Sequence, residues 1–118
     1  MKSGETVLYG LATCDTTRAA RKWLSEHGIA YRFHDVRGDG LSKPQAERWV
    51  TTLGWEKVLN KSSTTWRSLP ETDKANIDAG KAVALMLAHP ALVKRPVLND
   101  GNTLLVGFKP DVYARALG

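Results

Sequence analysis

Residues 6–36 read TVLYGLATCDTTRAARKWLSEHGIAYRFHDV. The apolar start, residues 6–10, predicts a β-strand, and residues 30–36 predict a second one by their alternation. Between them, Gly28 is placed to close a helix over residues 17–27. That helix is predicted by apolar residues that share one face: Ala19, Ala20, Trp23 and Leu24. Strand, helix and strand within about 30 residues form a βαβ unit, whose strands are parallel with a right-handed crossover.

The rest of the chain predicts a helical block and then a hairpin. Ser42 with Gln45 three residues later forms a capping box for a second helix. Polar, irregular residues 55–76 predict short helices and turns, and 78–88 predicts a longer helix that ends before Pro90. Two short apolar runs flank the turn Asn99-Asp100-Gly101-Asn102, which is typical of a β-hairpin. A last helix is predicted from Pro110 to Leu117.

This order of elements predicts the fold class. A parallel pair and an antiparallel pair in one sheet give an α/β, thioredoxin-like (glutaredoxin-like) mixed four-stranded sheet with a helical insertion after the second strand. We expect a single domain over residues 1–118, with the insertion at about 42–89.

Composition limits the function classes. The net charge is +5, but the basic residues are scattered, so we expect small anionic partners and no direct nucleic-acid binding. No apolar stretch reaches the roughly 18 residues of a membrane span, and the opening Met1–Glu5 precedes no signal-type run, so a cytoplasmic protein without membrane contact is expected. One cysteine excludes an intrachain disulfide, and three scattered histidines fit no zinc motif, so no metal is expected.

Cys14, the only cysteine, lies between the first predicted strand and the first predicted helix. There it meets unpaired backbone N–H groups and the positive end of the helix dipole, which favour the nucleophilic thiolate. The alternative is a small buried apolar side chain, as is common for lone cysteines. Position alone leaves both interpretations open.

The residues after Cys14 restrict any thiol chemistry. Thr17 stands where a Cys-x-x-Cys motif has its second thiol, so a thiol cycle here is monothiol and its resolving thiol comes from glutathione or another protein. The hydroxyl of Thr16 or Thr17 can donate to the thiolate, although capping of the helix is the alternative, above all for Thr16. Arg18 can add positive charge near the sulfur or remain a solvated surface residue.

Arg95-Pro96 is the second candidate. By analogy with thioredoxin-like folds, the bond before Pro96 is expected to be cis and to face the active thiol, where a substrate backbone docks. Arg95 then points towards Cys14, and its planar guanidinium suits a carboxylate or an oxyanion. Lys61 and Lys109 are further basic candidates for the same ligand, each with a surface solubility role as the alternative.

Several segments carry a family resemblance, in one order over nearly the whole chain: 8–10 leading into 13–18, then 21–24, 58–61, 89–96 and 105–108. The combination of Cys14 with His89-Pro90 and Arg95-Pro96 is the specific part. On these residues the chain resembles the arsenate reductase-like, Spx-like thioredoxin-fold family, and most closely its YffB-type members.

The resemblance implies roles for single residues. In the glutaredoxin-coupled arsenate reductases, one cysteine attacks arsenate and three arginines hold the oxyanion. Cys14 matches the nucleophile and Arg95 matches one arginine, while Asn60 (with Lys61 adjacent) and Lys109 stand at the other two positions. A lysine supplies charge without bidentate geometry, which disfavours efficient arsenate reduction. In Spx-type regulators, a Cys-x-x-Cys pair senses oxidation and the protein binds the RNA polymerase alpha subunit; Thr17 removes that switch.

We therefore expect a monothiol oxidoreductase, a glutathione-dependent thiol reductase with Cys14 as the nucleophile and Arg95 beside it. No bound cofactor is expected, and glutathione is the co-substrate. Its ligand-binding residues are expected to be Thr16, Thr17, Arg18, Lys61, Pro96 and Lys109. The alternatives are arsenate reductase-like oxyanion reduction with glutaredoxin as partner, and a non-enzymatic adaptor that binds RNA polymerase or another protein.

Overall fold

The computed structural model describes residues 6–101 and 103–117. Its strands are β1 (Val7–Gly10), β2 (Arg32–Asp35), β3 (Val97–Asn99) and β4 (Leu104–Val106). Its helices are α1 (Asp15–Glu26), α2 (Lys43–Leu53), α3 (Trp55–Val58), α4 (Thr64–Ser68), α5 (Glu71–Lys74), α6 (Ala79–Ala88) and α7 (Pro110–Leu117), with a 3₁₀ turn at Pro90–Leu92.

The four strands form one mixed sheet in the order β2-β1-β3-β4. β1 is parallel to β2, with Gly10 opposite Asp35. β1 is antiparallel to β3, with Tyr9 opposite Val97, and β3 is antiparallel to β4. The predicted α/β, thioredoxin-like sheet is therefore confirmed.

The chain forms two compact units. The first, the sheet unit, takes the described residues of 1–36 and 95–118 and contains the sheet, α1 and α7. The second, the helical unit, is residues 37–94. In the helical unit α2 packs on α6, and buried residues of both helices fill the contact: Ala46, Trp49, Val50, Ala82, Val83 and Met86.

The core of the sheet unit is built on β1, α1, β3 and α7. Its buried residues are Leu8, Ala20, Trp23, Leu24, Leu98 and Tyr113. The buried face of α1 also includes Thr17, whereas Ala19 is exposed, so the prediction of Ala19 on the core face was wrong. Thr17 packs against Gly10 at the end of β1, and this contact turns Ala19 towards solvent.

Hydrogen bonds from side chains stabilise the start of α2 and the turn of the hairpin. Ser42 Oγ accepts the N–H of Gln45 (3.3 Å), as the capping box predicts. In the hairpin, Asp100 N–H donates to the carbonyl of Thr103 (3.2 Å) and Asp100 Oδ1 accepts the Thr103 N–H (2.6 Å). Asn102 of the predicted turn, like Met1–Glu5, lies outside the described residues. Among the helices of the described residues, none is long and apolar enough to cross a membrane.

Candidate active site

Cys14 occupies the N-cap position of α1. Its N–H donates to the carbonyl of Leu11 (3.0 Å) and its carbonyl accepts the N–H of Arg18 (2.9 Å). The alternative role of Thr16 as the helix cap is not found, because α1 already begins at Asp15 and Cys14 is its N-cap. The carboxylate of Asp15 suits the positive end of the helix dipole, which explains the earlier start. The result is a thiol at the end of the helix where backbone N–H groups lack intrahelical partners.

The surroundings of the half-buried sulfur favour its ionised form. Burial is the largest single influence and raises the pKa of Cys14. The groups that oppose burial and lower the pKa are the N–H and hydroxyl of Thr17, the side chain of Arg95 and the N–H of Thr16. Together they outweigh burial, so the pKa lies below the ordinary value of 9.0. An ionised thiol is the form that attacks disulfides and other electrophiles.

Thr17 is fully buried, unlike the exposed Thr16. Its hydroxyl has no hydrogen-bond partner of normal geometry among residues 6–101 and 103–117. This hydroxyl acts electrostatically on the sulfur of Cys14, where it lowers the pKa. A buried hydroxyl without another acceptor favours a negative charge on the sulfur.

The register of the sheet places Arg95 beside the sulfur of Cys14. Because β1 and β3 are antiparallel with Tyr9 opposite Val97, the residues before β3 lie beyond the carboxyl end of β1, where the Cys14 loop begins. The half-buried Arg95 hydrogen-bonds the sulfur from there. The Arg95–Pro96 bond is cis, as predicted, and the carbonyl of the buried Pro96 accepts the N–H of Gly107 (2.8 Å).

The remaining predicted residues carry other contacts. Arg18 is exposed and pairs with Asp15 in the first turn of α1. Lys109 is exposed directly before α7, its carbonyl accepts the N–H of Tyr113 (3.0 Å), and it lines a cavity of about 250 Å³ in the sheet unit. Lys61 belongs to the helical unit, where its ammonium lies 5.1 Å from the ring centre of Trp55 and 5.8 Å from that of Trp66. Ligand roles for these three residues stay predictions.

Gly10 is the site residue to which the sequence analysis assigned no role. It ends β1 directly before the Cys14 loop and packs against Thr17. A glycine inside a strand pattern is a known signal of close approach by another chain segment, and this signal was available. Among the described residues, no group of three or more His, Cys, Asp and Glu side chains could hold a metal ion.

Known proteins resemble this chain in both sequence and structure. The chain superposes on the solved structure of the YFFB (PA3664) protein with a TM-score of 0.93 and 51% identity, covering 96% of this chain and 99% of that one. A solution structure of an arsenate reductase (ArsC) related protein from Brucella melitensis has a TM-score of 0.75 and 45% identity, covering 99% and 97% of the two chains. The global transcriptional regulator Spx of Listeria innocua is 29% identical over 112 residues, 93% of this chain and 85% of that protein. The ArsC family model matches residues 9–116, and the chain therefore belongs to the ArsC family.

Proposed function

We propose that this protein is a monothiol oxidoreductase that reduces glutathione-containing disulfides, with Cys14 as the nucleophile and glutathione as the reducing co-substrate. One observation carries the proposal: Thr17 and Arg95, beside the sulfur at the start of α1, hold the pKa of Cys14 below its ordinary value against the effect of burial. Membership of the ArsC family supports thiol chemistry on this fold.

The cycle has two exchange steps. In the first, the Cys14 thiolate attacks the glutathione sulfur of a mixed disulfide, the old S–S bond breaks, and the substrate thiolate leaves and takes a proton from solvent. In the second, a glutathione thiolate attacks the Cys14–glutathione disulfide, which releases oxidised glutathione and restores the Cys14 thiolate. The incoming glutathione sulfur becomes oxidised and the substrate sulfur is reduced, while the glutathione sulfur of the mixed disulfide stays at the disulfide level. The chain has one cysteine, so it supplies no resolving thiol of its own.

Recognition of glutathione is assigned to the positive and backbone groups around the sulfur. Arg95 would hold a glutathione carboxylate in addition to the thiolate, because its guanidinium offers several N–H donors in one plane. The backbone at Pro96 would dock the peptide part of the ligand. Thr16, Arg18 and Lys109 of the sheet unit would add donors or charge for the remaining carboxylate.

The test measures the adduct and then turnover. After incubation with oxidised glutathione, mass spectrometry should find a single adduct on Cys14. Turnover of bis(2-hydroxyethyl) disulfide with glutathione should be lost in Cys14→Ser and reduced in Arg95→Gln, with Arg95→Lys between that variant and wild type. A folded protein whose alkylation shows an ionised Cys14 but whose turnover equals that of Cys14→Ser would reject the enzyme and favour a regulator of the kind named by its Spx relative.

A second candidate, arsenate reduction, is favoured by the ArsC match and by Arg95 beside the sulfur. Asn60 and Lys109 stand where the resemblance places the other two arginines, so we expect little arsenate turnover with glutathione and glutaredoxin. Lys109→Arg should raise that turnover. Rapid arsenate reduction by the wild type would overturn the reasoning from the missing guanidinium groups.

A further inference from the structure

We infer that Gly10 is a positioning residue for Cys14: the absence of a side chain at the end of β1 makes room for Thr17, whose hydroxyl is thereby held against the sulfur. The inference rests on the proposed function of Cys14 and names a residue that never touches the reacting atoms.

The space at Gly10 is filled by Thr17. A Cβ atom at position 10 would lie 2.5 Å from Thr17 Oγ1, 2.7 Å from its Cγ2 and 3.2 Å from its Cβ. The first two distances are shorter than any normal contact between such atoms. Thr17 is fully buried on the core face of α1, so it cannot swing into solvent to relieve the overlap.

Backbone conformation gives no other reason for glycine here. The described glycines with positive φ are Gly28, Gly40, Gly54, Gly101 and Gly107. Gly10 is not among them and lies within a regular strand paired to Asp35, a conformation that any residue adopts. What matters at position 10 is therefore space for Thr17.

The orientation of Thr17 is sensitive to that space. Threonine in a helix divides between two χ1 rotamers, one of which sends the hydroxyl to a backbone carbonyl of the preceding turn. In the observed orientation the buried hydroxyl has no hydrogen-bond partner of normal geometry in the described part of the chain, and it lowers the pKa of Cys14. A methyl group at position 10 would displace this hydroxyl and weaken its effect on the sulfur.

The test is a double-mutant cycle read by alkylation of Cys14 with iodoacetamide across pH, without glutathione or any substrate. Below the ordinary thiol pKa, Gly10→Ala should slow alkylation by up to about tenfold, the effect of losing one hydrogen bond to a charged group at a half-exposed site. The rates should converge at high pH, where the thiol is ionised in both proteins. Thr17→Val, which keeps the shape and loses the hydroxyl, should slow alkylation equally, and Thr17→Ser should not.

The decisive comparison is Gly10→Ala in a Thr17→Ala background. There the overlapping Oγ1 and Cγ2 atoms are gone, so Gly10→Ala should have no further effect on the pH profile. Gly80→Ala is the matched control, because a Cβ at position 80 meets nothing closer than Asp78 Oδ1 at 3.7 Å. Equal slowing by Gly10→Ala in both backgrounds, or an unchanged profile in the single variant, would overturn the inference.

Folding failure has a defined meaning in this design. If Gly10→Ala alone is unfolded by circular dichroism but Gly10→Ala/Thr17→Ala is folded, position 10 acts through Thr17 as inferred. If both are unfolded while Thr17→Ala is folded, Gly10 is required for another reason and the inference is wrong. The two proposals fail separately. If the wild type shows no turnover with glutathione but the double-mutant cycle gives the alkylation rates expected above, the proposed function is rejected and the Gly10 inference stands.

Discussion

Removal of the Tyr113 hydroxyl should make the protein more stable. The ring is fully buried and packs edge-on against Trp23 (5.6 Å between centres) and Phe108 (4.8 Å). The hydroxyl has no hydrogen-bond partner in the described residues, and burial raises the pKa of Tyr113 well above its ordinary value of 10.0. Tyr113→Phe keeps both ring contacts and deletes only the unpartnered group.

The expected gain in stability follows from the cost of burying the unpartnered Tyr113 hydroxyl. A buried hydroxyl without a partner costs about 1–3 kcal/mol relative to its hydrated state. Taking the lower end, because neighbours relax, we expect the free energy of unfolding to rise by about 1 kcal/mol, which is a Tm increase of about 4 °C in a domain of this size.

Urea unfolding followed by tryptophan fluorescence measures the change, and Tyr31→Phe is the matched control. The Tyr31 hydroxyl accepts a hydrogen bond from Arg21 Nε (3.1 Å), so its loss should lower the free energy of unfolding by about 0.5–1.5 kcal/mol. The two tyrosine variants should therefore shift in opposite directions. If Tyr113→Phe lowers stability by 1 kcal/mol or more, the hydroxyl has a partner and the reasoning fails.

Three further results are expected. Because the pKa of Cys14 is lowered in the folded state, the stability difference between wild type and Cys14→Ser should be largest above pH 9.0 and vanish as pH falls through the lowered pKa; a pH-independent difference would contradict the hydrogen bonds to the sulfur. Leu98→Ala, at a fully buried position of β3, should cost about 2–5 kcal/mol in urea unfolding, and a loss under 1 kcal/mol would show that this site is not core. Ser42→Ala should remove the α2 cap for about 1 kcal/mol without altering Cys14 alkylation; altered alkylation would refute the purely local role.

Local patterns were sufficient to predict much of the fold. The βαβ unit, the Ser42 cap and the hairpin depend on periodicity and turn residues a few positions apart, and each formed as predicted. That Thr17, and not Ala19, lies on the buried face of α1 could not be predicted in this way. It depends on packing against Gly10, and helical spacing alone prefers the apolar alanine.

The candidate site was likewise predicted only in part. Arg95 was expected near Cys14 by analogy, and its position follows from the antiparallel register of β3 on β1. The sequence pattern contained no information on the side-chain neighbours of Lys61, whose ammonium lies over two tryptophan rings. The periodicity of apolar residues also cannot show that the Thr17 hydroxyl lacks a hydrogen-bond partner in the described residues, because that depends on every atom packed around it.

In the middle of the sheet, residues that are far apart in the chain are paired: Val7 lies opposite Asn99. On the ribosome, β1 has β2 available early but must wait until β3 has been synthesised before its other edge is covered. Contacts so distant in sequence are slow to form, and an uncovered strand edge in the meantime offers free N–H and C=O groups to neighbouring chains. Synthesis is therefore the stage at which this protein should be most prone to aggregation, and a chain cut short of β3 should be captured by chaperones where the finished protein is not.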